Sequence, residues 1–543
     1  MFLLTYKIYL TIYLLSTEDI SPPLIAPQSS ISAAISPSSY NQLNSSIPAE
    51  EDLALARQIF ATKSIDKLIS DSELPDHALK KSLGPVSLTA LGVGIVIGSG
   101  IFTVIGTAIG GNPSKISDWK GSPIIDLLLH HGAVAGRPGA GPALAISLLL
   151  VAAVCCCTGL CYAELASMIP IAGSAYTYTY AVLGELIAWV IGWDLILEYA
   201  FANMSVSVGF AAHLVDLLDW LHIHLNPKWL SPAFLVVCIL TAVLVIGIRE
   251  SARTNNIMVM VKIAAILAFV FFGLSFIHPG NYHPFVPNGI SGVLAGGSII
   301  FFTYIGFDAV STASEECKNP QRDVPIGIIA TLIVCTILYV GVSLTLTGIV
   351  NWHTINPDDG APVVNALKRL SLQPGGHRLH FVRLFVLLGA ILGMLSSIMV
   401  GQYGQARIWF AMSRDRLLPT AFSKVHPRFR TPAFSTIVAG ILVAIPAGLF
   451  DVGSLAEMSN IGTLFAFVLV SIGVLVLRHK QPDRHRGFRV PGGPLFPILS
   501  ILFCALLMAG LPAITWVRFF VWLIIGLFVY YFYSRKRSEF YKG

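Results

Sequence analysis

A chain of 543 residues with 55% hydrophobic and only 12% charged side chains, at mean hydropathy +0.74, cannot present a water-soluble surface; ordinary globular domains carry about 25% charged residues. The net charge of +6 comes from basic residues in short loops between apolar runs, which argues against a nucleic-acid-binding face. Eight cysteines, four of them (Cys155, Cys156, Cys157, Cys161) inside one apolar run, lack paired metal-ligand spacing and argue against a disulfide framework.

Residues 1–14 are apolar but too short to cross a bilayer and carry Lys7 midway. The Ser-, Pro- and Ile-rich stretch up to residue 50 reads as a disordered extension, and 51–84 as a charged, partly helical cytoplasmic segment. From Pro85 the composition changes, and a transporter domain over 85–535 is expected, followed by a cytoplasmic tail at 536–543. Twelve apolar spans are predicted, at 86–107, 143–168, 176–212, 230–248, 254–277, 287–314, 325–350, 382–411, 433–450, 455–477, 494–514 and 516–533. The loops after the even-numbered spans 4, 6, 8 and 10 hold Arg249, Arg253, Lys318, Arg322, Arg414, Arg416, Lys424, Arg478, Lys480 and Arg484, among others. The loops after spans 3, 5, 9 and 11 offer only Lys228 and Arg518, so both termini are expected on the cytoplasmic side.

Two spans carry interruptions. The first, LTALGVGIVIGSGIFTVIG, places Gly98-Ser99-Gly100 where an unbroken helix is poorly supported. A small-residue packing face through Gly94 and Gly98 is the bland alternative. A break at membrane depth is tolerated only where it lines a cavity. The sixth span, GSIIFFTYIGFDAVSTASEE, has Gly306 midway and Asp308 just after it. Asp308 reads equally as a helix cap or a substrate contact. Interruptions at matching places in two halves point to an inverted-repeat transporter with its site at the repeat interface.

The strings GVGIVIGSGIF, FFTYIGFD and GQARIWFAMSRDRLLP resemble the amino acid–polyamine–organocation superfamily. CYAELASMIPIAGSAYTYTYAVLGELIAWVIGWDLILEY and FRVPGGPLFPIL are similar to its cationic amino acid transporter branch, and the likeness covers about 55–535. It implies an all-α membrane protein of the LeuT type, with repeats over 85–278 and 286–478 and peripheral helices over 494–533. It further implies secondary transport of amino acids, coupled to protons rather than driven by ATP, with no cofactor and no enzymatic activity. A bacterial cytoplasmic membrane is the expected location. A polyamine or organic amine carrier, an exchanger, and a non-transporting amino acid sensor are the alternatives.

An α-amino acid brings a carboxylate and an ammonium that must both be desolvated. The half-helix opening at Ser99, Gly100 and Ile101 aims free N–H groups at the carboxylate. Carbonyls of Val96, Ile97, Phe302, Thr303 and Ile305 are the expected acceptors for the ammonium, with Phe302 as a gate or, alternatively, ordinary core packing. Met394 reads equally as a lining residue of the side-chain pocket or as filler packing, and Glu198 is expected to be buried and hydrogen-bonded at the site. Lys262 lies about 10 Å into the fifth span. It either snorkels to the surface or is a buried ammonium that exchanges a proton. The family resemblance favours a proton-coupling role, with Ser396 or Ser397 supplying oxygen partners.

Overall fold

The computed structural model describes residues 58–72, 83–112, 137–171, 174–223, 231–246, 252–357, 359–372, 379–429, 431–448 and 452–541. The extension expected over 1–50 lies outside these, as does most of the loop expected over 110–140.

Because lipid offers no hydrogen bonds to the backbone, long apolar stretches must satisfy their own N–H and C=O groups as helices. In chain order the helices are α1 (Ile65–Ser72), α2 (Pro85–Val96), α3 (Ile105–Gly110), α4 (Leu144–Met168), α5 (Ser174–Val182) and α6 (Glu185–Trp220). There follow α7 (Pro232–Ile246), α8 (Ala252–Gly273), α9 (Gly289–Ile300), α10 (Pro320–Ile349), α11 (Pro362–Ser371) and α12 (Leu379–Arg414). The last four are α13 (Ala433–Ala444), α14 (Val452–Lys480), α15 (Leu495–Ala509) and α16 (Ala513–Val529). Among the described residues, eight helical stretches are individually long and apolar enough to cross a membrane. A ninth is a pair, Pro85–Val96 with Gly100–Gly110, bent by 41° at its break. Helices α7, α13 and α15 are apolar but shorter. The strand content of the described residues is one two-residue ribbon, β1 (Gly111–Asn112) against β2 (Arg137–Pro138).

The third span differs from its prediction. A continuous helix was expected from 176 to 212, but Gly184 adopts φ 103 and divides α5 from α6. That left-handed conformation admits glycine readily and ends the first helix. Helix α6 then runs 36 residues, about 54 Å, well beyond a hydrocarbon core of about 30 Å. It packs against α12 and α14, while α10 packs against α2 and α4 and α8 against α12.

Basic and acidic side chains gather at one end of this bundle. Glu185 opens α6 fully buried and accepts from Gln58 Nε2 (3.1 Å), Tyr180 (3.2 Å), Tyr530 (2.9 Å) and Ser538. Lys63 pairs with Asp415, which also accepts from the Tyr176 hydroxyl at 2.6 Å. Glu164 receives a two-pronged contact from Arg478 and the backbone N–H of Val490. Arg484 reaches Asp66 at 2.7 Å and holds its carboxyl below the usual range. Residues 58–72 are thereby strapped across the ends of α5, α12 and α14. Both Glu164 and Glu185 are structural, as their places near helix ends suggest.

Candidate transport site

Helix α2 ends at Val96, and Ile97 leaves helical geometry at φ −77, ψ 92. The chain resumes as a π turn over Gly100–Val104 before α3. The first N–H groups of that turn have no acceptor within it. In the other interrupted stretch, α9 tightens into a 3₁₀ turn over Phe301–Tyr304, Ile305 extends at ψ 135, and Gly306 turns at φ 108. A second 3₁₀ segment runs Phe307–Glu316. Gly306 occupies the cap position, and the Asp308 carboxyl lies within hydrogen-bonding reach of the backbone N–H groups of Gly306, Asp308 and Ala309 at the start of this segment, as its reading as a cap expects.

The two interruptions touch. A Cβ on Gly306 would lie 2.3 Å from Ile95 Cγ2, and one on Gly100 would lie 2.7 Å from the Thr303 Cα. Tyr339 of α10, which the sequence reading missed, sits between them. Its hydroxyl is 2.9 Å from the Val96 carbonyl and 3.0 Å from the Thr303 carbonyl. One O–H proton thus serves two of the carbonyls expected to receive an ammonium. Tyr339→Phe should leave both without that donor, weakening substrate binding by about tenfold if the hydroxyl positions them, at about 1 kcal/mol or slightly more per hydrogen bond. Calorimetric affinity checks this; an unchanged affinity would make Tyr339 a packing residue.

The hydroxyls of Ser99 and Thr103 are buried and have no hydrogen-bond partner among the described residues. Buried hydroxyls are ordinarily satisfied, so each unpaired one needs an explanation. Both meet Met394 at Gly209 of α6: a Cβ there would lie 2.6 Å from Thr103 Oγ1, 3.3 Å from Met394 Sδ and 3.3 Å from Ser99 Cβ. Ile97 and Ile101 are buried beside the break, Phe302 is 6% exposed, and Ile305 is half-buried. The neighbouring Phe301 and Phe307 pack on Phe467, at 5.8 and 5.2 Å between ring centroids.

The amino acid permease family model matches residues 83–532, a stretch that contains both interruptions. The chain belongs to this family. It is similar to a branched-chain amino acid permease of Bacillus subtilis, 44% identical over 89% of this chain and 98% of that protein. A methylthioribose transporter of the same organism is 41% identical over 88% and 98%. A vacuolar cationic amino acid transporter of Arabidopsis thaliana is 36% identical over 75% of this chain and 65% of its own length. The protein is therefore an integral membrane amino acid permease, a secondary transporter and not an enzyme.

Lys262 of the permease is fully buried in α8, and its Nζ donates to the Gly94 carbonyl at 2.6 Å. It does not snorkel. Its stem packs on Gly393 of α12, where a Cβ would lie about 3.5 Å from three of its carbons. Ser396 is a correction: its hydroxyl has no partner among the described residues, so it does not hold Lys262 here. Ser397 instead donates to the Gly393 carbonyl and faces Gly98. The lysine stem meets α12 at Gly393, the residue without a side chain.

Glu198 is buried, and among the described residues its hydrogen-bonding contacts join it to α14. Thr463 is within hydrogen-bonding reach of its carboxyl, Ser459 donates to its backbone carbonyl, and Asp194 and Asp308 are its acidic neighbours. Glu198→Ala should reduce transport strongly, because it removes the carboxyl that links α6 to Thr463 of α14 and empties a packed position. Glu198→Gln, which keeps shape and an acceptor, should retain more. Uptake into proteoliposomes compares the two; equal full activity in both would place Glu198 outside the transport core.

Proposed function

We propose that this permease is a proton-coupled symporter of neutral, aliphatic amino acids, working by alternating access on a LeuT-type scaffold of two inverted repeats. In this reading α7, α13 and α15 complete twelve spans. Each is about 18–22 Å long at 12–15 residues, so flanking residues or local thinning would make up the core thickness. Basic loops face the cytoplasm.

The observation that carries the substrate reading is the pair of unpartnered, buried hydroxyls of Ser99 and Thr103 at the mouth of the π turn. With the N–H groups of Gly100 and Ile101 they offer donors to a carboxylate. Carbonyls of Val96, Ile97, Phe302, Thr303 and Ile305 would take the ammonium. The side chains meeting there, Met394, Thr303 and Ile101, carry no charge, which suits an apolar substrate side chain. The Bacillus relative named for branched-chain amino acids agrees with that class. Lys262 would carry the proton, its charged form tying α8 to Gly94 of α2.

Uptake of labelled leucine, valine, arginine, putrescine and methylthioribose into proteoliposomes, with and without an inward pH gradient, tests this. Leucine or valine should accumulate above equilibrium only with the gradient. Preference for arginine or putrescine, or accumulation of methylthioribose alone, would overturn the substrate class; gradient-independent exchange would overturn the coupling.

A further inference from the structure

Helix α16 does not stop at Val529. It widens into a π turn over Tyr530–Ser534 and ends in Arg535, Lys536 and Arg537. Beside it the chain leaves α12 through Arg416 and Leu417, and Ser534 Oγ donates to the Leu417 carbonyl at 2.6 Å, pinning the two stretches together. Between them lies a groove of about 470 Å³ lined by Leu418, Pro419, Phe528, Val529, Phe532 and Tyr533. Phe528 and Phe532 stack in parallel, 2° apart, as one flat wall, and they are 60% and 67% exposed.

The groove is apolar along its length and cationic at one end. Arg537 donates to the Tyr533 hydroxyl at 2.7 Å and lies 4.4 Å over its ring. Arg414, Arg416 and Lys536 are exposed nearby in sequence on the two walls. Of the acids in these stretches, Asp415 is taken by Lys63 and Tyr176, leaving Glu539 as the exposed one. An apolar slot with a basic rim at a helix end matches a molecule with an acyl chain and an anionic head.

We propose that this groove binds an anionic phospholipid, with an acyl chain along Phe528 and Phe532 and the phosphate on Arg416 and Arg537. The proposal rests on the chain being a membrane protein and is independent of which substrate it carries.

Native mass spectrometry of the purified permease, equilibrated with phosphatidylglycerol or phosphatidylcholine, reads it directly. Wild type should retain phosphatidylglycerol in preference to phosphatidylcholine. Arg416→Ala and Arg537→Ala should each weaken that retention about fivefold, and together about twenty-five-fold. Leu418→Trp, which fills the slot, should lose the lipid while both arginines remain. Melting curves in lipid-free detergent separate these effects from misfolding. No headgroup preference in wild type overturns the proposal, a result that needs no variant. So does a preference that survives both the double arginine variant and Leu418→Trp.

Discussion

Gly100→Leu should abolish amino acid binding. The Cβ position already falls 2.7 Å from the Thr303 Cα and from its Cγ2, so any side chain must push the two interruptions apart. Backbone cannot yield as a flexible side chain can, and over-packing a close contact costs about 1–3 kcal/mol or more. The leucine would also cover the N–H groups proposed to meet the carboxylate. Some loss of thermal stability should therefore accompany the loss of binding. Gly100→Ala, with the same clash and far less bulk, should fall between wild type and leucine in calorimetric affinity. Normal binding by Gly100→Leu would place the carboxylate elsewhere.

Lys262→Ala should lose pH-driven accumulation while keeping measurable substrate binding. The ammonium bridges α8 to the Gly94 carbonyl, within the first half of the interrupted span. A buried ammonium is costly, and here it donates to a main-chain carbonyl. In the proposed mechanism the protonated side chain would fasten α2 to α8 and to the α12 surface at Gly393, and the deprotonated one would donate less strongly and loosen α2. In that mechanism the proton would thereby bias two arrangements of α2, which is the differential interaction that coupling requires. Removing the side chain also strands the Gly94 carbonyl, at about 1–3 kcal/mol. Lys262→Gln, which keeps a donor without a titrating group, separates stability from coupling. Accumulation by Lys262→Ala driven by protons alone would falsify the proposed role.

Much of this was legible because glycine and charge are conspicuous in apolar sequence. Gly98-Ser99-Gly100 and Gly306 stand out as poor helix formers, and Lys262 as a lone cation in an apolar run. What was not legible depends on rotation about helix axes. Whether Gly393, Ser396 or Ser397 meets Lys262 is settled by the rotation of α12 and the packing of α8 on it, which no local signal encodes. Tyr339 lies in ILYVGVSL, where an aromatic side chain is ordinary membrane filler until its hydroxyl is seen between two carbonyls. The division at Gly184 was missed because apolar residues flank it on both sides and the hydrophobic run continues through it. Thr103 was passed over for a similar reason, one hydroxyl in an otherwise apolar turn.

The carboxylate of Glu185 carries a consequence for the order of events in synthesis. Of its four donors, Tyr180 is five residues away and Gln58 precedes it by 127, but Tyr530 and Ser538 follow it by 345 and 353. Synthesis runs from the N-terminus, so α6 emerges and can enter the bilayer with that acid only half satisfied. The last two hydroxyls arrive only after α16 has been made. Until then the group must keep water or a proton, and the end of the bundle that it closes stays open. A ribosome that stalls short of residue 530 would leave a chain with most of its membrane helices but without this latch. Residues some 345 and 353 positions downstream thus decide whether that end is sealed.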